Sequence, residues 1–140
     1  MNIENSLVYL LTNFVNKFRA KLETSMNEIG LHSGQVFVLI SLWKNNGQNQ
    51  INLAQNLNLA APTVNKMVKN LVDNDFVSCQ KCGEDGRMMR VYLTTKGRKS
   101  EGLVKGQWQK IELASFANLT ETEKLIFSQL LIKLRANFDK

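Results

Sequence analysis

The chain has 140 residues, 44% of them hydrophobic, and carries 18 Lys/Arg against 12 Asp/Glu for a formal charge of +6. That length supplies one ordinary domain whose core does not depend on disulfides or metal. The longest apolar run, residues 36–43, falls far short of the roughly 20 residues needed to cross a bilayer, and the two cysteines and the absence of a secretory pattern at Met1-Asn2-Ile3-Glu4-Asn5 point to a cytoplasmic protein with reduced thiols.

Leu7, Leu10, Leu11, Phe14, Val15, Phe18, Leu22, Met26 and Ile29 recur every three or four residues and predict a long amphipathic helix closing at Gly30. Its apolar stripe is too wide for one packing partner, so a second is implied, another copy of the chain among the options. Ser33 is expected to cap a second helix over about 34–45, with Val36, Phe37, Leu39, Ile40 and Trp43 inward and Asn46-Gly47 at its end. A short third helix follows from about Asn52 through Leu57. After Asn58-Leu59-Ala60-Ala61 a fourth begins at Pro62, where a missing N–H does no harm.

The fourth helix places Val64, Met67, Val68, Leu71 and Val72 on one face and Thr63, Asn65, Lys66, Lys69 and Asn70 on the other. Phe76, Val77 and Cys79, then Met89, Val91 and Leu93, flank a glycine-containing turn and read as a β-hairpin. Thr94 or Thr95 starts a fifth helix carrying Leu103, Val104, Trp108 and Ile111. Thr120-Glu121-Thr122-Glu123 is a capping-box pattern opening a sixth, whose apolar stripe is Leu125, Ile126, Leu130, Leu131, Leu134 and Phe138. The terminal helices therefore form a second lobe that packs against a partner chain. The fold class is mainly α with a small β-hairpin wing: a winged helix-turn-helix lobe over about 33–95 and dimerisation helices over about 1–30 and 98–140.

Charge and polarity suggest what the first lobe touches. Residues 61–99 hold eight Lys/Arg against four Asp/Glu, so most of the net charge sits beside the fourth helix, as expected of a surface that meets a phosphate backbone. A helix entering the major groove needs short polar side chains near its start for base edges, and cations further along for phosphates. Thr63 suits a base edge or phosphate, Asn65 an adenine, and Lys66 a guanine or the backbone. At the hairpin tip Arg87 beside Asp85 can enter the minor groove, with the carboxylate orienting the guanidinium. Arg90, further down the strand, suits a phosphate or the Asp85 carboxylate. An ordinary solvated helix face and a surface Asp/Arg pair are the plainer readings of the same residues.

Together these stretches resemble the MarR family, the multiple antibiotic resistance type of regulator, over nearly the whole chain. Asp85-Gly86-Arg87 followed by Val91-Tyr92-Leu93-Thr94-Thr95-Lys96-Gly97 is similar to that family's wing signature, and Leu53-Ala54-Gln55-Asn56-Leu57 with Thr63-Val64-Asn65-Lys66-Met67-Val68 to its helix-turn-helix. Gly30-Leu31 with Gln35 and Leu39 resembles the start of its second helix. The resemblance implies a homodimer with intertwined terminal helices that reads a pseudopalindromic operator in double-stranded DNA through Pro62, Thr63, Asn65, Lys66, Lys69, Asp85, Arg87 and Arg90. It further implies regulation, here taken as repression, relieved by a small-molecule or oxidative signal. Pro62 replaces a usual serine, Cys82-Gly83 a usual Asp-Pro and His32 a usual threonine, so base preference, wing conformation and capping are expected to differ from the family's.

The resemblance also places a cleft for a small amphipathic or phenolic effector between the two lobes, with Phe18, His32 and Phe37 as candidates; core packing or helix-end capping is the plainer role for each. Cys79 and Cys82 form a C-x-x-C pair, open to a redox role that distorts the wing or to an unremarkable one. Thioredoxin-like chemistry is not expected of a strand, and zinc is not expected with His32 the only histidine. A peroxide-sensing cysteine of the family's first-helix type is absent. No cofactor or enzymatic constellation is expected. The competing function is a winged-helix protein-interaction module that does not read DNA; the polar, basic fourth helix argues against it.

Overall fold

The first helix, α1, spans Leu7–Asn27 and is capped by Ser6, whose hydroxyl accepts the Tyr9 N–H. The computed structural model describes residues 1–82 and 88–139. The expected stripe divides along the helix: Leu22 and Met26 are buried, whereas Leu7, Leu10, Leu11 and Phe14 face outward. α1 ends at Asn27 rather than at Gly30, which adopts φ +79 in the following turn, a conformation that costs a glycine little.

α2, Ser33–Lys44, runs through the core. Its N-cap is His32, not Ser33, and the His32 backbone N–H donates to Gln35 Oε1 at 3.0 Å. Val36 and Leu39 are inward as expected, with Val38 and Leu42, and Trp43 is half-buried. Phe37 and Ile40, also expected inward, are exposed. A helix that is apolar on nearly every side has no clear moment, so its facing is set by α1 and the other helices packed on it.

The sheet contains one strand more than the hairpin. β1 (Gln48–Asn49), β2 (Val77–Cys82) and β3 (Met88–Leu93) form an antiparallel sheet in the order β1-β3-β2. Gln48 faces Val91 across one ladder, and Val77 faces Leu93 across the other. α3, Gln50–Leu57, begins two residues earlier than Asn52 because the Asn49 side chain caps it, accepting the Asn52 N–H at 2.7 Å. Asn58 ends it at φ 58, the left-handed conformation asparagine tolerates.

α4 covers Ala61–Asp73 with Ala60 as its N-cap, so Pro62 occupies the second helical position, where no intrahelical hydrogen bond is lost either. α5, Thr95–Ser115, is capped by the Thr94 hydroxyl, which accepts the Gly97 N–H at 3.1 Å. A side chain at Gly97 would collide with the Phe76 carbonyl, so glycine permits α5 to start against the sheet. Val104 and Ile111 are buried and Trp108 half-buried, but Leu103 points outward, contrary to its place in the expected stripe. α6, Glu121–Arg135, opens with the expected capping box: Thr120 Oγ1 accepts the Glu123 N–H, and Glu123 Oε1 accepts the Thr120 N–H. Phe138 lies beyond it in a 3-10 turn, Ala136–Phe138.

An aromatic series joins the terminal helices, from Phe18 through Phe14 and Phe116 to Phe127, with ring centroids 5.8, 6.2 and 6.0 Å apart. Despite this contact, α6 has no buried residue. Among the described residues no helix is long and apolar enough to cross a membrane.

Candidate nucleic-acid interface

α3 and α4 bury Leu53, Ala54, Val64, Val68 and Leu71, which fixes the opposite side of α4 toward solvent. Pro62, Thr63, Asn65, Lys66 and Lys69 are all exposed there. Asn70, expected on the same face, is half-buried, and its carbonyl accepts an N–H from Asn74 Nδ2 at 2.8 Å. The first turn of α4 is free of acidic residues, so its unpaired N–H groups and positive dipole end can add to the attraction of the two lysines for an anionic backbone.

The stem of the hairpin stands beside this helix. Arg90 lies on β3 between Asn49 and Gln80, and its Nη1 donates to the Gly47 carbonyl at 2.9 Å. One arm of that guanidinium is therefore committed to the base of the wing. Asp85 and Arg87 belong to residues 83–87 and lie outside the described residues, as does any pairing of Asp85 with Arg90.

Both cysteines fall on β2 as expected, with Cys79 opposite Val91 and the backbone of Cys82 opposite Met88. Cys79 is half-buried against the core, and that burial pushes its thiol pKa up. A raised pKa lowers the thiolate fraction and hence reactivity toward oxidants.

The three effector candidates are distributed over different contacts. Phe18 stacks on Phe14 at 5.8 Å, and exposed Phe37 meets Trp108 edge-on at 6.2 Å. His32 Nδ1 lies 2.7 Å from Glu23 Oε1, while Glu23 Oε2 accepts the Ser33 N–H at 2.8 Å. None of the three lines the open cleft of about 400 Å³ between α2 and α5, which is walled by Ile40, Trp43, Lys44, Val104, Lys105 and Trp108 among others. Phe37 reaches it indirectly, through Trp108.

The hydrogen bonds from Ser33 and then His32 hold the Glu23 carboxyl down at about 2, from 4.5. Because the folded value is the lower one, the stabilisation is complete above about pH 4.5 and is lost as pH falls toward 2. The Glu23 side chain is 37% exposed, so solvent screening limits the effect, to about 0.5–1 kcal/mol. Glu23→Gln is expected to lower the melting temperature at neutral pH and to converge with the parent protein near pH 2, as followed by circular dichroism. A gap that is constant across this range would refute the assignment.

Sequence reasoning overlooked Glu23 as the tether between α1 and the start of α2, and it overlooked Gln48. Glu23 and His32 are nine positions apart, so helix periodicity alone does not pair them. A glutamine after Asn46-Gly47 reads as solvent-facing turn chemistry, yet Gln48 is 4% exposed and fully hydrogen-bonded.

Helix, turn and exposed helix, followed by a hairpin whose sheet is completed by β1, define a winged helix-turn-helix. The sequence model of the family described as transcriptional regulator SarA/Rot matches residues 20–101, more than half of the chain, and the chain belongs to that family of regulators, which are not enzymes. It is 27% identical over 128 residues to the HTH-type transcriptional regulator YwoH of Bacillus subtilis, a match covering 91% of this chain and 93% of that protein. Among solved structures it is similar to a MarR transcriptional regulator from Methanosarcina mazei Go1, with a TM-score of 0.81, 24% identity and coverage of 93% and 94% of the two chains. It is also similar to BpsR of Bordetella bronchiseptica, whose DNA binding is regulated by 6-hydroxynicotinic acid, with a TM-score of 0.86, 18% identity and 96% of each chain covered. At these identities the structural matches speak for the fold, and the MarR resemblance of the sequence is borne out.

Proposed function

We propose that the protein is a homodimeric repressor that binds a pseudopalindromic operator in double-stranded DNA and is released by a small amphipathic or phenolic effector. The exposed face of α4, with Thr63, Asn65, Lys66 and Lys69 beside the wing stem, carries this reading. Lys66 and Lys69 meet phosphates or a guanine, Thr63 and Asn65 meet base edges, Pro62 sets the approach of the first turn, and Arg90 supports the wing on which Asp85 and Arg87 lie. The lobe over about 33–95 reads DNA, and the helices over about 1–30 and 98–140 join two copies.

Dimerisation has its own support. The single chain exposes 10191 Å², whereas a compact monomer of 15.9 kDa exposes about 7,400 Å². Exposed large apolar side chains cluster on the outer half of α1 and along α6. An effector fits the α2–α5 cleft, where Trp43 and Trp108 supply aromatic walls and Lys44 supplies a cation for an acidic group, while Lys105 is paired with Glu101 of the same wall at 3.1 Å. The regulation of BpsR by a hydroxylated aromatic acid supports that chemistry. Oxidation at Cys79 and Cys82 is the second route of release, and the raised thiol pKa of Cys79 disfavours it.

The test is titration of the purified protein against DNA from upstream of its own gene, over a range of salt, beside a random duplex. Selective binding that weakens steeply with salt is expected. Equal affinity for both duplexes would reject operator reading and favour a winged-helix interaction module instead.

A further inference from the structure

We infer that Gln48 is a positioning residue for operator reading, a buried amide that sets the angle between the helix-turn-helix and the wing; the inference rests on the operator reading proposed above. Gln48 Nε2 lies 3.0 Å from the Ser41 carbonyl, 3.1 Å from Ser41 Oγ and 2.6 Å from the Asn45 carbonyl, and Gln48 Oε1 accepts from Asn56 Nδ2 at 2.9 Å. Its two N–H groups thus serve three acceptors at the end of α2, while its carbonyl holds α3. The backbone of the same residue is in β1, paired with Val91 of β3. One residue, 4% exposed, thus joins α2 and α3 through its side chain and the sheet through its backbone.

Its neighbours fasten the same junction to the wing. Asn46 Oδ1 accepts the Leu93 N–H at 2.9 Å, the Gly47 N–H donates to the Val91 carbonyl at 3.1 Å, and the Gly47 carbonyl accepts from Arg90 Nη1 at 2.9 Å. Gly47, at φ +78, lies so close to the Tyr92 ring that an added Cβ would come within 2.8 Å of it. At the far end of α4, Thr94 Oγ1 donates in the turn to the Asp75 and Phe76 carbonyls. The reading unit is therefore pinned to the sheet at two places, and the place near the start of α3 depends on Gln48.

Two grooves can be read together only if α4 and the hairpin keep a fixed relative angle. Apolar contacts permit small rotations, whereas a buried amide with directional partners at both ends does not. Because a buried amide left without partners is costly, the junction has one well-defined arrangement.

Gln48→Met keeps the length of the side chain and removes every one of its side-chain hydrogen bonds, leaving the β1 backbone pairing in place. In the full-length dimer, its operator affinity should fall about tenfold, with random-duplex affinity and salt slope unchanged. Asn56→Ala removes the exposed end of the α3 tether while the Gln48 bonds to the end of α2 stay in place, and it should lower the operator-to-random ratio in the same direction. In the DNA-free protein, Gln48→Met should shift the amide resonances of α3 and of residues 91–93 and leave those of α6 in place.

An unchanged operator-to-random ratio in both variants, or a loss of equal size on both duplexes, would overturn the positioning role. So would unmoved α3 and 91–93 resonances, whatever the DNA result. A parent protein with no operator preference would instead overturn the operator reading, and the free-protein resonances would still decide whether Gln48 sets the geometry.

Discussion

Replacing Leu130 and Leu134 of α6 together with glutamate is expected to yield a monomer and to lower affinity for a two-half-site operator by about 10²–10⁴-fold. The two residues are four apart and share one face of a helix that has no buried residue in the isolated chain. Leu125, Ile126, Leu131 and Ile132 are exposed beside them, and Leu7, Val8, Leu10 and Leu11 are exposed at the start of α1. Apolar surface on this scale is expected to be covered in solution. A charge placed inside that covered face must shed its hydration, which opposes association strongly.

The affinity loss comes from geometry rather than from the DNA-contact residues. In a dimer the second half-site is bound intramolecularly at a high effective concentration, and in a monomer that advantage vanishes. Affinity for a single half-site should therefore remain unchanged. Sedimentation equilibrium and fluorescence anisotropy on full-site and half-site duplexes check both parts. A monomeric parent protein, or a double variant that still sediments as a dimer, would refute the arrangement.

What the sequence revealed follows from how local the causes are. The Thr120 to Glu123 capping box and the outward face of α4 were legible, because a cap spans three residues and a strongly amphipathic helix records its own orientation. The facing of α2 was not legible. With Val36, Phe37, Val38, Leu39 and Ile40 in succession, every side is apolar, and neighbouring helices choose which residues are covered. β1 was missed because two polar residues, Gln48 and Asn49, make no strand pattern; their ladder exists only once β3, some forty positions later, is alongside. Leu103 was misplaced by the same ambiguity that exposes α6: apolar periodicity marks a face to be covered without saying which chain covers it. Of the candidate site, the α4 residues and the strand position of Arg90 could be read in advance. The commitment of Arg90 to Gly47 could not, since it depends on a contact across the sheet.

Asn65→Ala and Lys66→Ala are each expected to weaken operator binding by about 1–3 kcal/mol per half-site. Both side chains are exposed on α4 while Val64 and Val68 on its other face are buried, so neither substitution should disturb folding. The two effects should differ in kind. Asn65, a side chain able to donate to and accept from one base edge, should lose discrimination at a single operator position while its salt slope stays constant. Lys69→Ala supplies the contrast: taking a phosphate-binding cation away from the later part of the helix should weaken operator and random duplex alike and reduce the salt slope by about one. Lys66 lies between them in sequence and in expected behaviour; weakening confined to the operator assigns it to a guanine, and equal weakening on both duplexes assigns it to the backbone. Anisotropy titrations against singly substituted operators at several salt concentrations separate these outcomes. Affinity unchanged in both Asn65→Ala and Lys66→Ala would remove α4 from the interface.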